Sequence, residues 1–207
     1  MRISLSEWET FYVITGSSAA ALTGIMFVVV ALVADRVERR PSDGVGAFST
    51  PTVAHFALVL LLASAMTIPG HGVLSLSISI GGLAIIGLTS SGLAGVRMNR
   101  VKGYTPETVD WAWHVIIPFA AYLVLLVSAF LLGTEQELAL VVVAVAVLAL
   151  IFIGIHNAWD VAVYIVTQGV PEANAREATA VPPPATPAPV ATPAAARSDA
   201  PGSLSPS

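Results

Sequence analysis

Apolar residues fall along this chain in five long stretches, not in the short alternating groups of a soluble domain. They lie near 10–34, 51–68, 73–96, 109–132 and 138–167, separated by brief polar segments. An α-helix rises about 1.5 Å per residue, so roughly 20 apolar residues cross a hydrocarbon layer about 30 Å thick. The pattern predicts an all-α fold, a polytopic transmembrane bundle of five helices over 1–170, followed by a separate tail over 171–207. The last stretch would run about 45 Å as one helix, so it must tilt or project from the bilayer.

Composition strengthens this reading. Charged residues make up 11% of the 207-residue chain and hydrophobic ones 56%, where a soluble domain carries about 25% charged residues. Cysteine is absent, which removes disulfides, thiolate metal sites and a cysteine nucleophile together. The first apolar run is longer than the core of a cleavable signal peptide, and its basic flank, Arg36, Arg39 and Arg40, follows it. That is the pattern of a retained helix with its amino terminus outside.

The placement of charge predicts the orientation. Arg36, Arg39 and Arg40 follow helix 1, Arg97, Arg100 and Lys102 follow helix 3, and Arg176 and Arg197 lie in the tail. Five crossings put all of these on one side and only Arg2 on the other. Basic residues accumulate on the cytoplasmic side, so the tail is expected there. The connections on that side end in helix-start signals, Thr50-Pro51 and Thr105-Pro106-Glu107, with threonine as cap and proline in the first turn. From Pro171 onward the chain holds nine of its fourteen prolines among Ala, Thr and Ser, and such a segment is expected to stay disordered.

Several features could carry structure or chemistry. Gly16, Ala20 and Gly24 in helix 1, and Gly87, Ser91 and Gly95 in helix 3, are small residues spaced four apart, a device that lets helix backbones approach in lipid. Helix 3 also carries Ser75, Ser77, Ser79, Thr89, Ser90 and Ser91, whose hydroxyls can bond to carbonyls one turn earlier. Pro118 removes a backbone bond in helix 4 and is expected to act as a kink or hinge. The strongest candidate site for a polar group or ion is formed by His55, His114, His156, Asn157 and Asp160, all placed in the cytoplasmic half. Imidazole and carboxylate suit a proton relay or a divalent metal, and ionisable groups at membrane depth tend to face the bundle interior. The competing reading puts each histidine at headgroup level, among Trp111, Trp113 and Trp159 of an aromatic belt. His71, and the acidic residues Glu7, Glu9, Glu135 and Glu137, fit a solvated outer rim.

No catalytic residue stands out. Thr89-Ser90-Ser91-Gly92 is close to the Gly-x-Ser-Gly motif of rhomboid proteases, but threonine replaces the first glycine and rhomboids have at least six helices. No phosphate loop, zinc-protease motif or dinucleotide fingerprint is present, so no cofactor and no nucleic-acid partner is expected.

Trp8-x-x-Phe11, Gly16 and Ala19-Ala20-Ala21-Leu22-Thr23-Gly24-x-x-Phe27-Val28 resemble the first helix of a group of small bacterial membrane proteins. Asn157-Ala158-Trp159-Asp160 is similar to their last helix. The resemblance implies a bacterial inner-membrane origin and no particular activity; eight arginines against one lysine agree with a GC-rich genome. The leading functional expectation is a non-enzymatic structural or regulatory component that assembles with itself or another membrane protein. The alternative is a transporter or channel for a proton, metal ion or small solute, built on the His/Asp cluster.

Overall fold

The computed structural model describes residues 5–37, 43–70, 72–100 and 107–180, with side chains over 5–31, 51–70, 72–100 and 107–163. These residues form helices α1 (Glu9–Val37), α2 (Asp43–Thr67), α3 (Val73–Met98), α4 (Thr108–Leu131) and α5 (Gln136–Ala180). The chain divides into a unit Met1–Gly169, which holds the bundle, and a unit Val170–Ser207, helical to Ala180. Glu9–Ala31, Val73–Met98, Thr108–Leu131 and Gln136–Val163 are each long and apolar enough to cross a membrane, and α2 adds a shorter apolar stretch, Pro51–Thr67. Large apolar side chains such as Phe27, Leu74, Ile78, Phe130 and Phe152 point outward. Soluble monomers rarely expose apolar surface on that scale, and an all-helical exterior of this kind belongs to a multi-pass membrane protein.

Two helix boundaries differ from the sequence expectation. Helix α2 starts at Asp43, with Pro51 inside it, instead of at Thr50-Pro51. Proline forfeits the bond to residue 47, but its fixed φ is helical, so the helix can run through it. Helix α5 continues past Thr167 and through Pro171 to Ala180; Ala, Glu and Arg over 172–180 are good helix formers. The part of the tail expected to be disordered over 181–207 lies outside the described residues, as do His71, Lys102 and Thr105-Pro106. The cap of α4 is Glu107, in a reciprocal capping box with Asp110: the Glu107 N–H donates to the Asp110 carboxylate at 2.8 Å.

The helices pair antiparallel along seams of small residues. Gly16 of α1 sits so close to Ala63 of α2 that an added Cβ would come within 2.9 Å of the Ala63 methyl. Beyond that point the expected α1 ladder leaves the seam. Ala20 and Gly24 are exposed, and a Cβ at Gly24 would meet nothing within 4 Å. Each four-residue step turns a helix about 40° past a full circle, so the row rotates outward while the buried line runs through Tyr12, Thr15, Gly16, Ala19 and Met26. The α3 ladder does pack. Gly81 faces Ala129, Gly87 receives the Tyr122 ring, Gly95 faces Trp111 and Val115, and Ser91 is buried between them.

Helix α5 supplies the centre of the core through Ala139, Val143, Val147, Leu150 and Ile153, and its Gly154 receives the Phe56 ring of α2. The hydroxyls of α3 behave locally: Ser75 donates to the Gly72 carbonyl, Ser79 to Ser75 and Thr89 to Ile85, at 2.8–3.1 Å. Glu7, Glu9, Glu135 and Glu137 are exposed at the end where α1 and α5 begin.

Candidate functional site

The start of α4 is built around its proline. Within α4, residues Ala112–Ile116 form one π-helical turn, closed by the Ile117 N–H donating to the Ala112 carbonyl five residues back. Pro118 has no N–H, so it can serve neither His114 four residues back nor Trp113 five residues back. The helix makes a widened turn just before the proline, a feature common at functional sites. Asn157 of α5, fully buried, turns its amide Nδ2 toward the Trp113 carbonyl and donates to it at 3.4 Å. The Trp113 ring then lies flat on the His156 ring, with centroids 3.8 Å apart and planes 9° from parallel.

Because α2 begins at Asp43, His55 stands twelve residues from either end of a 25-residue helix, at its middle. It is 0% exposed, and its Nδ1 makes a 2.8 Å hydrogen bond with the Tyr122 hydroxyl. Which partner donates depends on the imidazole tautomer. The Tyr122 ring is positioned by Gly87, so α2, α3 and α4 meet at this one bond.

His114 follows Trp113 in the widened turn. It is buried, and its Nδ1 approaches the Asp110 carbonyl at 3.2 Å. On α5, His156 Nδ1 stands 3.2 Å from an Asp160 carboxylate oxygen one turn on. That is an ion-pair distance, at an angle that makes no hydrogen bond. The side chains of His156 and Asp160 are 30% and 46% exposed.

The contacts place His55 against Tyr122, and His156 and Asn157 against Trp113, with Asp160 one turn on from His156. Thr52 and His55 from α2, Ser91 from α3, His114 and Tyr122 from α4, and Asn157 from α5 are all buried. His55 Nε2, Ser91 Oγ and Asn157 Oδ1 make no hydrogen bond. A buried polar atom without a partner costs about 1–3 kcal/mol, and native structures keep few of them without a reason. Among the described residues no three His, Asp or Glu side chains are grouped so that they could share a metal ion.

Sequence reasoning missed Tyr122, Trp113 and Gly154 as parts of this site. Tyr122 carried a usable signal, since His114, Pro118 and Tyr122 recur at four-residue spacing along α4. Trp113 was placed in an aromatic belt, and nothing local marks it as the partner of His156. Compared with known proteins, the chain matches no family model, no curated protein and no solved structure.

Proposed function

We propose that this chain crosses a bacterial inner membrane five times, with its amino terminus outside and its basic loops in the cytoplasm, and that it is a non-enzymatic protein carrying protons through its buried polar cluster. The orientation rests on the charge asymmetry: eight of nine Lys and Arg residues fall on one side of a five-crossing chain. The function rests on one observation. His55 and Tyr122 are hydrogen-bonded between α2 and α4, His114 is buried two turns before Tyr122 on α4, and His156 approaches Asp160 on α5.

Imidazole is suited to this task because it accepts a proton at one nitrogen while releasing one at the other. Ionisable groups at membrane depth are costly, and proton relays are among the functions they serve. A proton fits the donor set better than a divalent metal, for which the described residues hold no three-ligand group. The full chain reconstituted in liposomes, with a potassium gradient, valinomycin and an internal pH dye, tests the reading. We expect proton uptake above that of empty liposomes, and a loss of most of it in His55→Asn and His114→Gln. Uptake equal to that of empty liposomes refutes it.

The assembly reading keeps one observation of its own. Ser17, Ala20, Ala21 and Gly24 are exposed on one side of α1, where small side chains would let another transmembrane helix approach closely. Crosslinking in native membranes, followed by mass analysis of the adduct, reads out whether that side is covered.

A further inference from the structure

We propose that His55 of α2, Ser91 of α3 and Asn157 of α5 together hold a buried water molecule beside Pro118 of α4. Such a water is present whether or not protons move through the protein, so the proton-carrying reading is not needed for it.

Each of the three side chains is 0% exposed, and each keeps one polar atom without a hydrogen bond: His55 Nε2, Ser91 Oγ and Asn157 Oδ1. Ser91 differs from its neighbours in kind. Thr15, Thr23, Ser64, Ser79, Thr89 and Ser128 donate to a carbonyl about one turn earlier in their own helices. A helical serine has that bond within reach, yet the buried Ser91 hydroxyl does not make it.

The helix contacts bring the three atoms to one level. His55 bonds Tyr122, and the Tyr122 ring lies on Gly87. Ser91 comes one turn after Gly87 and one turn before Gly95, which meets Trp111 and Val115. Ser91 therefore faces α4 between Tyr122 and Val115, where Pro118 is buried. On α5, Gly154 receives the ring of Phe56, the neighbour of His55, and Asn157 follows Gly154 by about one turn. Helices α3 and α5 both run antiparallel to α4, so Ser91 and Asn157 lie on the same side of the His55–Tyr122 bond. One turn rises about 5.4 Å, and a single water spans about 5.5 Å through two hydrogen bonds of about 2.8 Å.

The chemistry of the three groups selects water. Asn157 Oδ1 only accepts, the Ser91 hydroxyl donates and accepts, and His55 Nε2 does either according to its tautomer. None of them carries a negative charge to balance a buried cation, and an acceptor-only oxygen repels an anion. Water donates and accepts, and buried waters typically make about three bonds to otherwise unsatisfied groups.

Water-edited solid-state NMR on the full chain in liposomes tests the site, because magnetisation from water protons reaches nearby carbons first. The His55 ring carbons are identified by their loss in His55→Asn. The Met26 methyl, on a side chain 2% exposed, is the dry standard. Met26 lies ten residues beyond Gly16 on α1, His55 lies eight before Ala63 on α2, and Gly16 meets Ala63. The two side chains therefore stand at similar depth. A bound water should make transfer to His55 at least about threefold faster than to Met26, and Ser91→Ala should slow it at least about twofold. Transfer to His55 as slow as to Met26, or a rate unchanged in Ser91→Ala, overturns the site. Unfolding in bicelles gives a second readout. Loss of a water-held hydroxyl in Ser91→Ala should raise the unfolding equilibrium constant about threefold, whereas loss of a hydroxyl with no partner leaves it unchanged or lowers it. Neither measurement involves proton uptake. A dry His55 in liposomes that take up protons removes the water site alone, and a hydrated His55 without uptake removes the proton reading alone.

Discussion

Removing the Tyr122 hydroxyl separates bonding from packing in the polar cluster. Tyr122→Phe keeps the ring that fills the space over Gly87 and deletes only the oxygen 2.8 Å from His55 Nδ1. His55, fully buried and with no hydrogen bond from the protein at Nε2, would then lack a protein partner at either nitrogen. In a soluble core that would cost about 1–3 kcal/mol. In lipid the unfolded reference state also finds partners, and interhelical hydrogen bonds average about 0.6 kcal/mol with a maximum near 1.7. The membrane range is the relevant one, so Tyr122→Phe should destabilise by about 0.6–1.7 kcal/mol. His55→Leu strands the Tyr122 hydroxyl instead, and the double variant strands neither group. Reversible unfolding in bicelles, followed through a double-mutant cycle, should therefore return a coupling of about 0.6–1.7 kcal/mol. Additivity within about 0.3 kcal/mol would refute the bond, because independent sites add to that accuracy.

Three further outcomes follow from the packing. Gly154→Ala would bring a methyl within 2.7 Å of Phe56 Cζ, against an optimal carbon separation of about 3.5–4.0 Å. Overpacking of this kind should cost about 1–3 kcal/mol in the same unfolding assay, whereas Gly24→Ala, with nothing within 4 Å, should stay within about 0.5 kcal/mol of the parent. Asn157→Ala removes the donor to the Trp113 carbonyl; it should destabilise by at least about 0.6 kcal/mol and speed amide exchange in the π-helical turn. Glu107→Ala dissolves the capping box at the start of α4 and should weaken that end by about 0.5–2 kcal/mol, read as faster amide exchange confined to residues 108–111.

The features legible in the sequence are those that lipid imposes locally. A bilayer offers no hydrogen bonds, so each crossing must satisfy its own backbone, and the apolar stretches announce this without any tertiary contact. The hydroxyls of Ser75, Ser79 and Thr89 bond within their own turn, so their behaviour was also readable from spacing. The Gly87-Ser91-Gly95 row was recognisable as a packing face, although what it packs against was not.

Other properties depend on where one helix meets another. Gly16, Ala20 and Gly24 look equivalent in sequence, yet only Gly16 faces α2, because a four-residue spacing drifts around the helix and the neighbour covers a limited arc. Pro51 reads as a helix start, and that placed His55 near the membrane surface. The helix itself starts at Asp43, so His55 stands at mid-helix but four residues into the apolar stretch Pro51–Thr67. The bond between His55 and Tyr122 joins residues 67 positions apart, and the Trp113–His156 stack likewise joins two different helices. The sequence by itself determined which residues enter the membrane and which of them could carry a charge there. Only the packing of α2, α4 and α5 decided that His55 meets Tyr122 and that His156 and Asn157 meet Trp113, because the side chains that meet are chosen by the rotation and depth of each helix, and neither is encoded in any single stretch.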